Sequence, residues 1–135
     1  MSQPPLPQPT LETQPFWDAA HRGLLCLPRC TACAVLHFYP RAFCPYCGGR
    51  ELAWERLSGR GRIYTFTVNH RPAGEAFAAL VPYAVAVVTL DEGPRMMGRI
   101  VESALDGVRI GAPVVARFEA VADSLSLVHF ALEQS

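Results

Sequence analysis

The residues best suited to chemistry are cysteines, and four of the five fall in two pairs: Cys30-Thr31-Ala32-Cys33 and, after ten residues, Cys44-Pro45-Tyr46-Cys47, followed by Gly48-Gly49. A CxxC spacing lets the backbone close into a tight knuckle whose N–H groups turn toward the sulfurs. A connector of hairpin length then brings two such knuckles together as the corners of a tetrahedron. Gly48 and Gly49 suit the sharp turn that must follow the last ligand, often at positive φ. The pattern predicts a zinc ribbon holding one structural Zn2+ on Cys30, Cys33, Cys44 and Cys47, because four thiolates leave no coordination position for water or substrate. The same ligand set also suits a rubredoxin-like iron centre, and a reactive dithiol is a third reading. Four thiolates around a divalent ion leave two negative charges, which the neighbouring Arg29, Arg41 and Arg50 are expected to offset. Cys26, within the apolar run Leu24-Leu25-Cys26-Leu27, reads as a small core residue and not as a fifth ligand.

No other constellation in the chain has a catalytic pattern. There are no paired carboxylates at an informative spacing, no glycine-rich phosphate loop after a strand, and no nucleophile in a recognisable elbow. The histidines, His21, His37, His70 and His129, are scattered. Of these, His70 is placed most suggestively, in Asn69-His70-Arg71 at the start of a long connection.

The elements that must position these groups divide the chain into three. Residues 1–23 comprise a Pro-rich tail over residues 1–10 and a short helix that Thr13 or Gln14 caps, with Pro15 in its first turn and Gly23 past its end. About two turns of helix are unstable alone in water, so Phe16 and Trp17 must dock, either on the core of this chain or on a partner. Residues 24–58 form the ribbon, with Leu36–Tyr39 as a connecting strand, Pro40 as its bend, and alternation over 52–57. Residues 59–135 read as five short strands, Ile63–Asn69, Tyr83–Leu90, Met96–Glu102, Val114–Ala120 and Leu127–Leu132, separated by turn signals such as Asp91-Glu92-Gly93-Pro94. Five strands in so short a segment suit a small closed barrel, which removes exposed edges. The connection from Arg71 to Pro82, with Ala73-Gly74 and the apolar Phe77 and Leu80, is either a functional loop or a short helix plugging the barrel end.

Composition sets outer bounds. The 135 residues are 50% hydrophobic and 18% charged, with twelve basic against twelve acidic residues, which is enough apolar content for one packed core. No apolar run reaches the roughly 20 residues of a spanning helix and no signal-peptide pattern opens the chain, so a cytoplasmic protein with no membrane contact is expected. Every basic residue is arginine; residues 1–72 hold eight of them against four acids, and residues 73–135 hold four against eight. Tyr64 and Phe66, beside Arg60, Arg62 and Arg71, could stack single-stranded nucleic acid on one barrel face. The acidic second half argues against that reading, and both rings also suit a barrel interior.

The order of these features resembles one family. Phe16-Trp17, the two CxxC pairs with Pro40-Arg41 and Gly48, Trp54, Ser58-Gly59-Arg60-Gly61, His70-Arg71-Pro72, Pro82-Tyr83 and Val108-Arg109-Ile110-Gly111 are similar to the DUF35 proteins, over nearly all residues from about 15 to 132. The resemblance implies a mainly β chain: a short N-terminal helix, a rubredoxin-like zinc ribbon, then a five-stranded OB-fold barrel. It further implies a non-catalytic, acyl-CoA-associated scaffold that accompanies a thiolase-like or ketosynthase-like protein in lipid, steroid or polyketide metabolism. In that role Arg60, Arg62 and Arg71, near His70, would meet CoA phosphates or acids of the partner. Phe77 and Leu80 would line an acyl or pantetheine path, and Phe16 and Trp17 would touch the partner. The other function class is a stand-alone OB-fold module for single-stranded nucleic acid or a small ligand.

Overall fold

The computed structural model describes residues 5–72 and 74–133. The first four residues of the Pro-rich tail, Ala73 of the expected Ala73-Gly74 turn, and the last two residues of the barrel segment lie outside the described residues.

Helix α1 spans Gln14–His21, with Pro15 in its first turn. Thr13 occupies the N-cap but makes no capping bond to the helix; its hydroxyl accepts the Thr10 amide at 2.8 Å instead, closing a turn that ends the tail. Strands β1 (Cys26–Cys30) and β2 (Leu52–Arg56) pair antiparallel, Cys26 opposite Arg56 and Cys30 opposite Leu52. Between them the expected strand over Leu36–Tyr39 is reduced to a single bridge from Leu36 to Arg29. That bridge rests on two bonds, from the Cys30 amide to Val35 O at 3.0 Å and from the His37 amide to Pro28 O at 3.2 Å.

Strands β3 (Arg60–Asn69), β4 (Tyr83–Leu90), β5 (Arg95–Ile100), β6 (Pro113–Ala122) and β7 (Leu125–Leu132) close a barrel in the order β3-β4-β5-β7-β6. This is the strand order of an OB-fold. On β4 the alternation is strict, with Ala84, Ala86, Val88 and Leu90 buried and the residues between them half-buried, as period-2 side chains on a barrel wall require. The connection from Arg71 to Pro82 contains one 3-10 turn, Glu75–Phe77, with the Phe77 ring lying 6.4 Å from that of Tyr83. Among the described residues no helix is long and apolar enough to cross a membrane.

The docking surface that α1 finds is its own chain. Phe16 and Trp17 are buried in one continuous cluster with Leu25, Leu27 and Leu57 of the ribbon and with Ile63, Val88 and Phe130 of the barrel. Trp17 Nε1 donates to the Tyr39 hydroxyl at 3.1 Å, and the Phe16, Trp17, Phe38 and Tyr39 rings pack edge to face. On the far side His21 Nδ1 meets Ser126 Oγ at 2.9 Å, tying the helix to β7. The helix therefore clamps ribbon to barrel, and the two rings expected on a partner are covered within the chain.

Candidate functional site

The two knuckles bring four sulfurs together. Cys30, Cys33, Cys44 and Cys47 place their Sγ atoms within 4.8 Å of one another, with Cys30–Cys47 at 3.5 Å and Cys33–Cys44 at 3.6 Å. A zinc ion bonded to four sulfurs at about 2.3 Å requires tetrahedral edges of about 3.8 Å, so the cluster fits the ion. The knuckles are built alike: the Ala34 amide donates to Cys30 O at 2.8 Å, and the Gly48 amide to Cys44 O at 2.9 Å. The amides of Tyr46 and Gly49 reach the sulfurs of Cys44 and Cys47, each at 3.4 Å. Gly49 leaves room for the sulfurs, since a Cβ there would sit tightly at 3.1 Å from Cys30 Sγ and 3.3 Å from Cys47 Sγ.

Gly48 turns at φ +78°, as the sequence led us to expect, but the equivalent residue of the first knuckle is Ala34, at φ 65°. A side chain in the left-handed region costs about 1 kcal/mol. Ala34→Gly is therefore expected to raise unfolding stability by roughly that amount at unchanged zinc content, measured by denaturant unfolding beside metal analysis.

The surroundings of the four thiols act on their ionisation in opposite directions. The Cys33 amide is the main influence holding the Cys30 thiol down to about 7. Burial opposes the Cys44 thiolate, but the amides of Cys47 and Tyr46 and two neighbouring thiols bring it below its ordinary value. The Val35 amide favours the Cys33 thiolate, yet burial and the other three thiols outweigh it and push Cys33 up to about 12. Cys47 is helped by the Gly49 amide and also ends raised, chiefly through the Cys30 thiol. A divalent ion stabilises four negative charges in this volume, and its binding releases the protons that the thiols still hold.

Arg29 does not offset that charge as expected. Its Nε and Nη2 donate to both oxygens of Glu55 at 2.9 and 2.8 Å, and its Nη1 to Ala34 O at 2.7 Å. The guanidinium thus pins the first knuckle to β2, and its hydrogen bonds hold the Glu55 carboxyl below the usual range. Arg41 and Arg50 stay exposed beside the knuckles.

Sequence reasoning also passed over His37. It is 2% exposed, and neither ring nitrogen has a hydrogen-bond partner among the described residues. Burial, helped by the charge of Arg41, lowers its pKa below 6.5. The unfolded chain accepts a proton near that ordinary value and the folded chain only below it. Stability therefore falls as pH drops from about 6.5 toward the lowered value. His37→Leu is expected to stabilise the chain by about 1 kcal/mol and to flatten the loss of stability on mild acidification, read from denaturant midpoints across that pH window.

The residues expected to meet a ligand do not converge on one point. Arg60 lies at the start of β3 in an ion pair with Glu133, and Arg62 follows it. His70 and Arg71 sit past the other end of the strand, eight residues or about 26 Å of extended chain beyond Arg62, in the same connection as the half-buried Phe77 and Leu80. Tyr64 and Phe66 do not share a face: Tyr64 points outward, 50% exposed, in step with Arg60 and Arg62, and a bulge between Ile63 and Thr65 then resets the alternation so that Phe66 packs against the core. Cys26 borders a cleft of about 520 Å³ between α1 and the ribbon, lined also by Asp18, Arg22, Trp54 and Ser124. Burial pushes its thiol up against the pull of Arg22 and Arg56, which leaves it a poor nucleophile at neutral pH.

Comparison with known proteins bears on both halves. Residues 17–53 match the rubredoxin-like zinc ribbon domain of ChsH2, and residues 54–119 match the ChsH2 C-terminal OB-fold domain. A solved chain of the Ltp2-ChsH2(DUF35) aldolase superposes with a TM-score of 0.82 at 33% identity, covering 93% of this chain and 98% of that one. The chain belongs to the DUF35 family. A DUF35 domain-containing scaffold protein of Methanocaldococcus jannaschii is 37% identical over 69% of this chain and 66% of its own length. A probable enoyl-CoA hydratase alpha subunit of Thermomonospora curvata is 40% identical over 74% of this chain. This DUF35 chain spans only 31% of that subunit's length. Its four cysteines are the ligands of the family's zinc ribbon.

Proposed function

We propose that this DUF35 chain is a non-catalytic, acyl-CoA-associated scaffold subunit that partners a thiolase-like enzyme in lipid, steroid or polyketide metabolism. The observation that carries the reading is the correspondence, over nearly the full length of both chains, with the DUF35 chain of the Ltp2-ChsH2(DUF35) aldolase. The relatives named as a scaffold protein and as an enoyl-CoA hydratase subunit support it. The construction is suited to the role. A closed four-sulfur site stiffens the ribbon without offering a reactive metal position, and the ribbon surface presents Phe43 at 50% and Tyr46 at 70% exposure, aromatic anchors of the kind found at interfaces.

The test is co-expression with a thiolase-like protein, followed by size-exclusion chromatography with light scattering and a CoA-thioester assay. A stoichiometric complex is expected, with turnover by the complex and none by this chain alone. Independent turnover of an acyl-CoA by the isolated chain overturns the reading. Isolation as a lone chain that binds single-stranded DNA with steep salt dependence would favour the stand-alone module instead. Deleting residues 1–22 is not a clean test of partner contact, because it strips Phe16 from the shared core.

A further inference from the structure

Of the arginine side chains whose guanidinium hydrogen bonds are described, Arg29, Arg60 and Arg117 are each also paired with a carboxylate. Arg62 and Arg95 are not. Arg62 Nη1 donates to Gly111 O at 3.0 Å, and Arg95 Nε donates to Thr89 Oγ1 at 3.3 Å while its guanidinium lies 3.8 Å above the centre of the Tyr64 ring. Both are held by neutral groups, so their orientation is fixed while their charge is left unanswered. Neither forms an ion pair with a described carboxylate. Glu92, in the adjacent turn, is drawn away to accept the Ser58 amide at 2.8 Å.

The register assembles these groups. Thr89 on β4 lies opposite Arg62 on β3 and opposite Arg95 on β5, so the three side chains stand in one row on the outer face of the barrel. Tyr64, outward on the same face as Arg62, supplies the ring under Arg95. One step along the same face stand Val87 and Met97, the latter 62% exposed. These are the first three strands of the barrel, where OB-folds commonly take their ligands.

We propose that Arg62, Thr89 and Arg95, with Tyr64 as the platform for Arg95, form a binding site for a phosphoryl group. Two planar guanidiniums and a hydroxyl in one cross-strand row supply the kinds of donor that phosphate oxygens accept. Tyr64 and Met97 give the site an apolar flank that a free phosphate does not need and a nucleotide uses. The site stands apart from His70 and Arg71 at the other end of β3, and its occupancy does not depend on the companion role proposed above.

The full chain, zinc-loaded, is titrated with inorganic phosphate, pyrophosphate and 3′,5′-ADP at constant ionic strength, following the arginine side-chain Nε–H signals by NMR. The expected result is saturable movement of the Arg62 and Arg95 signals, with pyrophosphate binding more tightly than phosphate. Arg62→Ala and Arg95→Ala should each weaken binding at least about tenfold while leaving the melting temperature unchanged. Tighter binding of 3′,5′-ADP than of pyrophosphate identifies the source as a nucleotide, and equal affinities identify free phosphate; Tyr64→Leu, which removes the platform under Arg95, should weaken both. Linear, non-saturating shifts shared by all arginines, or binding indifferent to both alanine variants, overturn the proposal. Neither outcome alters the co-expression result, so the two readings fail separately.

Discussion

Cys44→Ser is expected to abolish stoichiometric zinc and to melt residues 24–58 while the barrel remains folded at a lower melting temperature. The ribbon cannot persist without its ion. Its only regular structure is the two-stranded sheet of β1 and β2 with one isolated bridge, and two strands alone are marginal in water. Binding of zinc to such a segment supplies about 10–16 kcal/mol at neutral pH, as much as a domain's whole net stability. Serine is nearly isosteric with cysteine but is a far poorer ligand, so the effect reads the metal bond and not a packing defect. Hydrogen exchange separates the two halves: the amides of Cys26–Cys30 and Leu52–Arg56 should lose protection, and those of Tyr83–Leu90 should keep most of theirs. The barrel still suffers, because Leu25, Leu27, Leu36 and Leu57 belong to the same apolar cluster as Val88 and Phe130. A Cys44→Ser protein that retains one zinc per chain, or loses zinc with its ribbon amides still protected, would show that the sulfur cluster is not what holds the segment.

What was legible in the sequence is what local spacing encodes. The ligands follow from two CxxC pairs, and β4 matches its predicted span, Tyr83–Leu90, because alternation and flanking turns mark both ends. Strand β1 was not legible. Its run Cys26-Leu27-Pro28-Arg29-Cys30 contains a proline and shows no alternation, and its partner strand lies more than twenty residues away. The bulge at Tyr64 left no trace either, since the residue is an ordinary strand former; the change of phase that turns Phe66 inward is settled by register against β4. The same holds for charge. Arg60 and Arg62 differ by two positions and point to one face, yet Arg60 is neutralised by Glu133, far away in sequence, while Arg62 meets only a carbonyl. Sequence spacing names the residue types at a site, but tertiary partners decide which of them remain available to a ligand.

That distinction separates the two glycines of Ser58-Gly59-Arg60-Gly61, and it predicts the largest single-residue effect in the barrel. Gly61→Ala would place a Cβ 2.5 Å from Thr89 O and 2.7 Å from Val88 Cγ1. The first obstacle is the main chain of β4, so a side-chain rotation cannot relieve it and the strands must separate. Gly61 pairs with Leu90 on one side and Val114 on the other, at the short seam of three residue pairs where β3 closes the barrel against β6. Separation there opens the closure itself, at a cost expected to be about 3 kcal/mol or more. Gly59→Ala should be milder, about 1 kcal/mol, because the strain is the left-handed φ of +79° and the added carbon meets only Ala116 Cβ at 3.3 Å. Denaturant midpoints of the two variants check the order, and equal effects would mean that β3 shifts freely along β4. The comparison also bears on function. Loss of partner or phosphate binding in Gly61→Ala would come with a collapsed midpoint and report an open barrel, whereas loss in Arg62→Ala or Arg95→Ala at an unchanged midpoint would report a contact.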